Sequence, residues 1–197
     1  MTMDSLLSNL KNRKVILASN SPRRQELLKG LEVEFEVKVS PVDETVPKDL
    51  PAEYVAAYLS KLKSEAFGDE LSDEEIVITS DTVVITNGHV LGKPKNEDEA
   101  FDMLKSLSGA RHSVMTAVTI KDKVRRVTLE DEAIVTFRFL EEDEIWYYIH
   151  KYKPFDKAGA YGIQEWIGYM GVEKIEGSYY TVMGFPLHLV YQQLKKW

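Results

Sequence analysis

A chain of 197 residues, 44% of them hydrophobic, is long enough to enclose a sizeable core and reads as a single domain over residues 1–197. With 32 acidic against 25 basic side chains, a formal net charge of −7 and no long block of Lys or Arg, the composition argues against a non-specific grip on duplex nucleic acid, which needs many cationic phosphate contacts. The lack of cysteine excludes a disulfide framework, a thiolate metal site and a cysteine nucleophile, and fits a reducing compartment.

Residues 1–14 lack the order of a secretory signal, because the acidic Asp4 precedes only a few apolar residues and the basic ones follow. No apolar run approaches membrane-spanning length, so the expectation is a soluble cytoplasmic protein with neither membrane nor nucleic acid as partner. Val15 and Ile16 predict a short strand that runs into Leu17-Ala18-Ser19-Asn20-Ser21-Pro22-Arg23-Arg24, where Ser21 is a helix N-cap and Pro22 the first helical residue. The helix should end at Lys29-Gly30 with glycine as its cap. Val33, Phe35, Val37 and Val39 alternate with charged residues and predict a half-buried strand, and 40–51 reads as a loop carrying Asp43 and Glu44.

Tyr54, Tyr58, Leu59, Leu62 and Phe67 keep a helical period, with Lys61 and Lys63 on different faces. The β-branched run 76–79 is expected to stop at Ser80-Asp81, to resume over 83–85, to turn at Asn87-Gly88 and to return through Val90-Leu91 to Gly92-Lys93-Pro94. Asn96 caps a helix whose apolar stripe is Ala100, Met103, Leu104 and Leu107. Residues 114–120 and 124–139 predict a strand hairpin, Ile145, Tyr148 and Ile149 a short helix, and 151–164 a loop. Residues 172–175 and 179–182 read as a final strand pair, and Pro186 opens a terminal helix. Strands and helices that alternate through most of the chain favour an α/β fold, a mixed twisted sheet flanked by helices.

A strand that delivers a helix N-terminus beside Ser19, Ser21, Arg23 and Arg24 suits a phosphate, because the helix end carries positive partial charge; a capped surface helix with two solvated arginines is the alternative. Asp81, expected at a strand exit, is a candidate base or metal ligand, or a turn residue. Glu44, Lys63, Asp81, Lys93 and the two arginines make the mixed set that metal-assisted chemistry on a polyphosphate requires, with carboxylates to hold Mg²⁺ and cations to neutralise the leaving group. The four histidines are scattered without ligand spacing, and neither a GxxxxGK[ST] loop nor a GxSxG elbow occurs.

The blocks LASNSPRR, VDE at 42–44, SDTVV at 80–84, GKP at 92–94, LSG at 107–109, MTAV at 115–118, DKAGAYGIQ at 156–164 and GFPL at 184–187 fall in one order and spacing. In these the chain resembles the Maf-type nucleotide pyrophosphatases. The resemblance implies a fold with a central cleft like that of the inosine-triphosphate pyrophosphatases. It also implies a homodimer, a divalent cation (Mg²⁺ or Mn²⁺), and hydrolysis of a nucleoside triphosphate to monophosphate and pyrophosphate. By motif position, Ser19, Arg23 and Arg24 match the phosphate-binding residues, Glu44, Lys63, Asp81 and Lys93 the catalytic ones, and Glu44 and Asp81 the metal-handling pair. At Leu59-Ser60-Lys61-Leu62-Lys63, serine replaces the family's alanine and a second lysine stands close by. Gln164 matches the glutamine of the branch acting on dTTP and UTP, and Arg23, Thr82 and Gln164 together are unlike the 7-methylguanosine triphosphate branch, which carries tryptophan, glutamine and glutamate there. Glu165 departs from the glycine that usually follows the glutamine. The competing reading, suggested by the family's older name, is a non-catalytic nucleotide-binding regulator of cell division. That reading would fit loss of the acidic residues with retention of the cations, and this chain keeps both.

Overall fold

The computed structural model describes residues 6–68 and 71–197. Among the described residues, seven strands form one mixed sheet: β1 (Lys14–Leu17), β2 (Glu36–Val37), β3 (Glu75–Thr86), β4 (His89–Leu91), β5 (Arg111–Lys121), β6 (Arg126–Phe137) and β7 (Val172–Glu176). The helices are α1 (Pro22–Gly30), α2 (Val55–Glu65), α3 (Glu97–Leu107), α4 (Glu142–Tyr152), α5 (Trp166–Gly171), α6 (Tyr179–Val182) and α7 (Leu187–Lys195). The strand order is β2-β1-β3-β5-β6-β7, with β4 paired to β3. β1 runs parallel to β2 and β3, while β3–β4 and β6–β7 are antiparallel. The α/β expectation holds, and no described helix is long and apolar enough to cross a membrane.

Contacts divide the chain into two compact units, residues 1–81, 116–131 and 184–197 in the first and 82–115 and 132–183 in the second. In the first, β1 is buried at Val15, Ile16 and Leu17, the mark of a short parallel strand covered on both faces. Ile16, Ala18, Phe67, Leu71 and Val77 pack together there. In the second, a larger core gathers the α3 and α4 stripes (Leu104, Leu107, Ile145, Tyr148, Ile149) against Val84, Val135 and Phe137. Asn96 caps α3 as expected, its side chain accepting from the Glu99 N–H at 2.8 Å.

Several expected boundaries differ. The strand predicted over 33–39 shrinks to Glu36–Val37, because it pairs only with the end of the four-residue β1, and Val37 and Val39 are exposed. Gly30 is the last helical residue of α1, and the left-handed position after it belongs to Glu32 (φ 56°). The buried stripe of α2 is Val55, Ala56, Leu59, Ser60 and Ser64, and Tyr54 lies outside the helix and exposed. Residues 179–182 form a helical turn rather than a strand. Thr181 and Val182 N–H groups bond back to Ser178 O, and the partner of β7 is β6. Asn87 and Gly88 (φ 50° and 76°) make the predicted tight hairpin between β3 and β4.

Asp122, in the turn between β5 and β6, fastens the C-terminus. Its Oδ1 accepts the N–H groups of Val124 and Arg125 at 2.9 and 2.8 Å, and its Oδ2 accepts from Arg13 and from the Trp197 indole, each at 3.0 Å. Burial alone would raise this carboxyl, but the hydrogen bonds from Arg125, Val124, Arg13 and Trp197 outweigh it and hold the pKa at about 2. A group held below its ordinary value of 3.8 gives stability that is present above that value and is lost as pH falls toward 2. Asp122→Asn should cost roughly 1–2 kcal/mol at neutral pH, after allowing for solvent screening. It should also flatten the acid limb of the melting temperature between pH 4 and 2, read by calorimetry; an unchanged limb would show that the charge is not what holds the C-terminus.

Candidate active site

The site is built where β3 passes α1 and α2. Asp81 is not at a strand exit as expected: β3 continues to Thr86, so the carboxylate projects from mid-strand. From α2, Lys63 reaches it, with Nζ 2.5 Å from Asp81 Oδ1 and 2.9 Å from Glu44 Oε2. The Asp81 and Lys63 side chains are 13% and 19% exposed, whereas that of Glu44, on the 40–51 loop, is 51% exposed. Lys61 is exposed, so of the two nearby lysines the structure selects Lys63.

The serine that replaces the family's alanine has a physical reason. Ser60 is fully buried, and its hydroxyl donates to Thr119 Oγ1 at 2.9 Å while its carbonyl accepts from Thr79 Oγ1 at 2.7 Å. Thr79 lies two residues before Asp81 and Ser60 three before Lys63, so one hydroxyl chain fixes the helix on the strand at the point where the ion pair forms.

Arg24 is fixed from both sides. Its Nε donates to Gly184 O at 2.9 Å and its Nη1 to Ser80 O at 2.8 Å, and the Ser80 hydroxyl donates to the same Gly184 carbonyl at 3.2 Å. Two bonds to rigid carbonyls orient the planar guanidinium. Burial presses its pKa below the ordinary arginine value, the Asp81 charge opposes this, Arg23 adds to it and Glu44 opposes it. Arg24, Asp81 and Glu44 thus lie in one electrostatic neighbourhood, with Arg23 beside them. At the start of α1, the buried Ser19 accepts the Ser21 N–H on its hydroxyl at 3.2 Å. Ser21 takes the N-cap position but makes no side-chain cap bond, and Pro22 follows at the positive end of the helix dipole.

The second unit, taken by itself, holds Thr82, Lys93 and Gln164. Thr82 is partly buried on β3, and Lys93 is exposed in the turn after β4. Gln164 Oε1 is buried and has no hydrogen-bond partner among the described residues. A buried acceptor without a partner carries the desolvation cost of an unmade bond.

The model of the family described as Maf-like protein matches residues 14–197. The chain belongs to the Maf family. It is 50% identical over 191 residues to the dTTP/UTP pyrophosphatase of Parabacteroides distasonis, which covers 96% of this chain and 99% of that one. It is 49% identical over 189 residues to the dTTP/UTP pyrophosphatase of Flavobacterium johnsoniae, with 96% and 97% covered, and 47% identical over 193 residues to that of Porphyromonas gingivalis, with the same shares. Among solved structures the chain is similar to a Ham1 protein of Coxiella burnetii, at 15% identity, 94% and 100% coverage and a TM-score of 0.49; the site assignment does not depend on that likeness.

Of the Maf motif residues, the first unit joins Glu44 and Asp81 through the Lys63 ammonium and sets Arg24 in their field, with Arg23 in the first turn of α1 and Ser19 just before it. Thr82, Lys93 and Gln164 fall in the second unit. Sequence reasoning overlooked Ser80 and Gly184, the residues that aim Arg24, although both stand inside motif blocks. Gly184 has φ 97°, a left-handed backbone that glycine adopts at little cost. Among the described residues no three His, Asp or Glu side chains are close enough to cage a metal. Glu44 and Asp81 meet through the Lys63 ammonium, and two carboxylates are the donor type that a Mg²⁺-type cation takes.

Proposed function

We propose that this chain is a cytoplasmic, homodimeric, divalent-metal-dependent pyrophosphatase that hydrolyses dTTP and UTP, with modified pyrimidine relatives, to the monophosphate and pyrophosphate. Its task is the clearance of nucleotides from the pool, with neither nucleic acid nor membrane as partner. The observation that carries the reading is the Glu44–Lys63–Asp81 cluster with the immobilised Arg24 beside it. Two carboxylates and two cations, of which Asp81 is held by the sheet, Arg24 and Lys63 by two helices and Glu44 by the 40–51 loop, are what an anhydride cleavage between phosphates needs. The names of the relatives support the choice of dTTP and UTP.

Glu44 and Asp81 would hold the metal, which supplies Lewis-acid polarisation of the phosphate oxygens when bound. Where Asp81 is not engaged on the metal it is the favoured base, taking the proton from the attacking water, and the two roles are alternatives for that one carboxylate. Arg24 and Lys63 stabilise the departing pyrophosphate, and Lys93 is assigned to the same task by its motif alone. Arg23 and Ser19 bind phosphate near the α1 terminus, and Thr82 and Gln164 read the base. The test is pyrophosphate release from UTP and dTTP by the purified protein. Activity should vanish in chelator and return with Mg²⁺ or Mn²⁺. Full turnover in chelator would remove the metal from the account.

A further inference from the structure

Resting on the reading of Gln164 as the base-reading residue, we infer that Tyr148 and Glu165, backed by Lys157, clamp the turn that carries Gln164 and so set the choice between bases. The turn runs from 162 to 165: Glu165 N–H donates to Gly162 O at 3.0 Å, which leaves Gln164 in its second central position. It is closed a second time through one phenol. The Tyr148 hydroxyl accepts the Gly162 N–H at 3.0 Å and donates to Glu165 Oε2, so both flanks of Gln164 are tied to a single atom. Tyr148 itself is fully buried in the α4 stripe of the core, which gives that atom a fixed position.

Glu165 is held from its other oxygen. Lys157 Nζ lies 3.1 Å from Glu165 Oε1 and 2.8 Å from Asp156 Oδ1, and Lys157 is only 8% exposed, an unusual place for a lysine unless it is paired. Just upstream, Gly159 and Ala160 both take left-handed backbone (φ 66° and 60°). For alanine that conformation is strained, and it persists where the surroundings over-determine it. The turn is also tightly filled, since a Cβ at Gly162 would stand 2.9 Å from Glu165 Cδ and 3.0 Å from Gln164 Nε2.

The consequence lies in where Gln164 stands. A turn locked at both ends fixes the backbone from which Gln164 projects, so its amide, one donor group and one acceptor, is presented from one place to the imide edge of a pyrimidine. Tyr148, Glu165 and Lys157 are positioning residues in this scheme and touch no substrate.

Tyr148→Phe keeps the ring and removes the hydroxyl, whereas Glu165→Gln keeps an oxygen that accepts from Tyr148 and gives up the charge facing Lys157. In Tyr148→Phe the KM for UTP and dTTP should rise about tenfold with kcat within about twofold, and the preference for UTP over CTP should fall by a similar factor, as expected for the loss of a buried hydrogen bond. Glu165→Gln should fall between this variant and the wild type. Backbone amides of residues 162–165 should exchange faster in Tyr148→Phe. An equal loss on every triphosphate, or an unchanged UTP-to-CTP preference accompanied by a lower melting temperature, would overturn the inference and leave a purely structural role. If the wild type hydrolyses no triphosphate, the base-reading assignment fails by itself, and unchanged exchange at 162–165 in Tyr148→Phe would separately remove the clamp. Should Tyr148→Phe not fold, an unaltered UTP-to-CTP preference in Glu165→Gln overturns the proposal.

Discussion

Asp81→Asn should lower kcat on UTP by at least roughly a hundredfold while the fold is kept, the loss typical of removing a general base. The amide has the shape of the carboxylate, and β3 runs through this position, so the strand gives no reason for the variant to unfold. The loss should be chemical. An amide takes no proton from water, and although its oxygen can still accept from Lys63, it lacks the negative charge that pairs with the ammonium now 2.5 Å from Asp81 Oδ1. A carboxylate engaged as a metal ligand is not at the same moment a free base, so kcat in this variant reads both roles together. Titrating the metal at fixed UTP separates them: a raised metal requirement with recovered kcat marks the ligand, and a low kcat at saturating metal marks the base. Near wild-type turnover would move the base elsewhere, with Glu44 the first candidate, since it shares the same lysine at 2.9 Å.

The second large effect is expected at Gln164. A glutamine amide offers one acceptor and one donor group, which complements the N3–H and O4 of uracil and thymine. Glutamate only accepts, so Gln164→Glu should set an acceptor against a pyrimidine carbonyl. The mismatch should cost about 1–3 kcal/mol, or roughly 5- to 150-fold in kcat/KM for UTP and dTTP. Poor substrates should change little, and with Arg23 and Thr82 unchanged no full switch to 7-methylguanosine triphosphate is expected. Measuring kcat/KM for UTP, dTTP, CTP and GTP alongside a melting curve checks this. A uniform loss across the bases with a lowered melting temperature would remove Gln164 from base selection, and its buried oxygen would then need another explanation.

What the sequence made legible follows what is local. The Ser21-Pro22 helix start, the Asn87-Gly88 hairpin and the Asn96 cap each depend on one or two side chains with a fixed backbone habit, and each appears in place. The strand expected over 33–39 is shorter and the strand expected at 179–182 does not form, because alternation and β-branching describe a surface that could pair, while pairing depends on a partner elsewhere in the chain. β1 has four residues to offer β2, and β6 rather than 179–182 pairs with β7. The same limit hid the supports of the site. Lys63 and Asp81 are named by motif, but that Ser60, Thr79, Ser80 and Gly184 hold them and Arg24 in place depends on contacts between residues far apart in sequence. Asp81 was placed at a strand exit because Ser80, Asp81 and Thr82 are turn-prone in isolation; the ladder of a twelve-residue strand overrides that preference.

The central claim concerns which phosphoanhydride bond is cut, and the direct measurement is hydrolysis of UTP by the purified protein in ¹⁸O-water with Mg²⁺, followed by phosphorus NMR and mass analysis of the products. The account predicts UMP and pyrophosphate as the primary products, with a single label carried on one of the two and no UDP at early times. UDP together with labelled orthophosphate would contradict it and make the protein a terminal phosphatase.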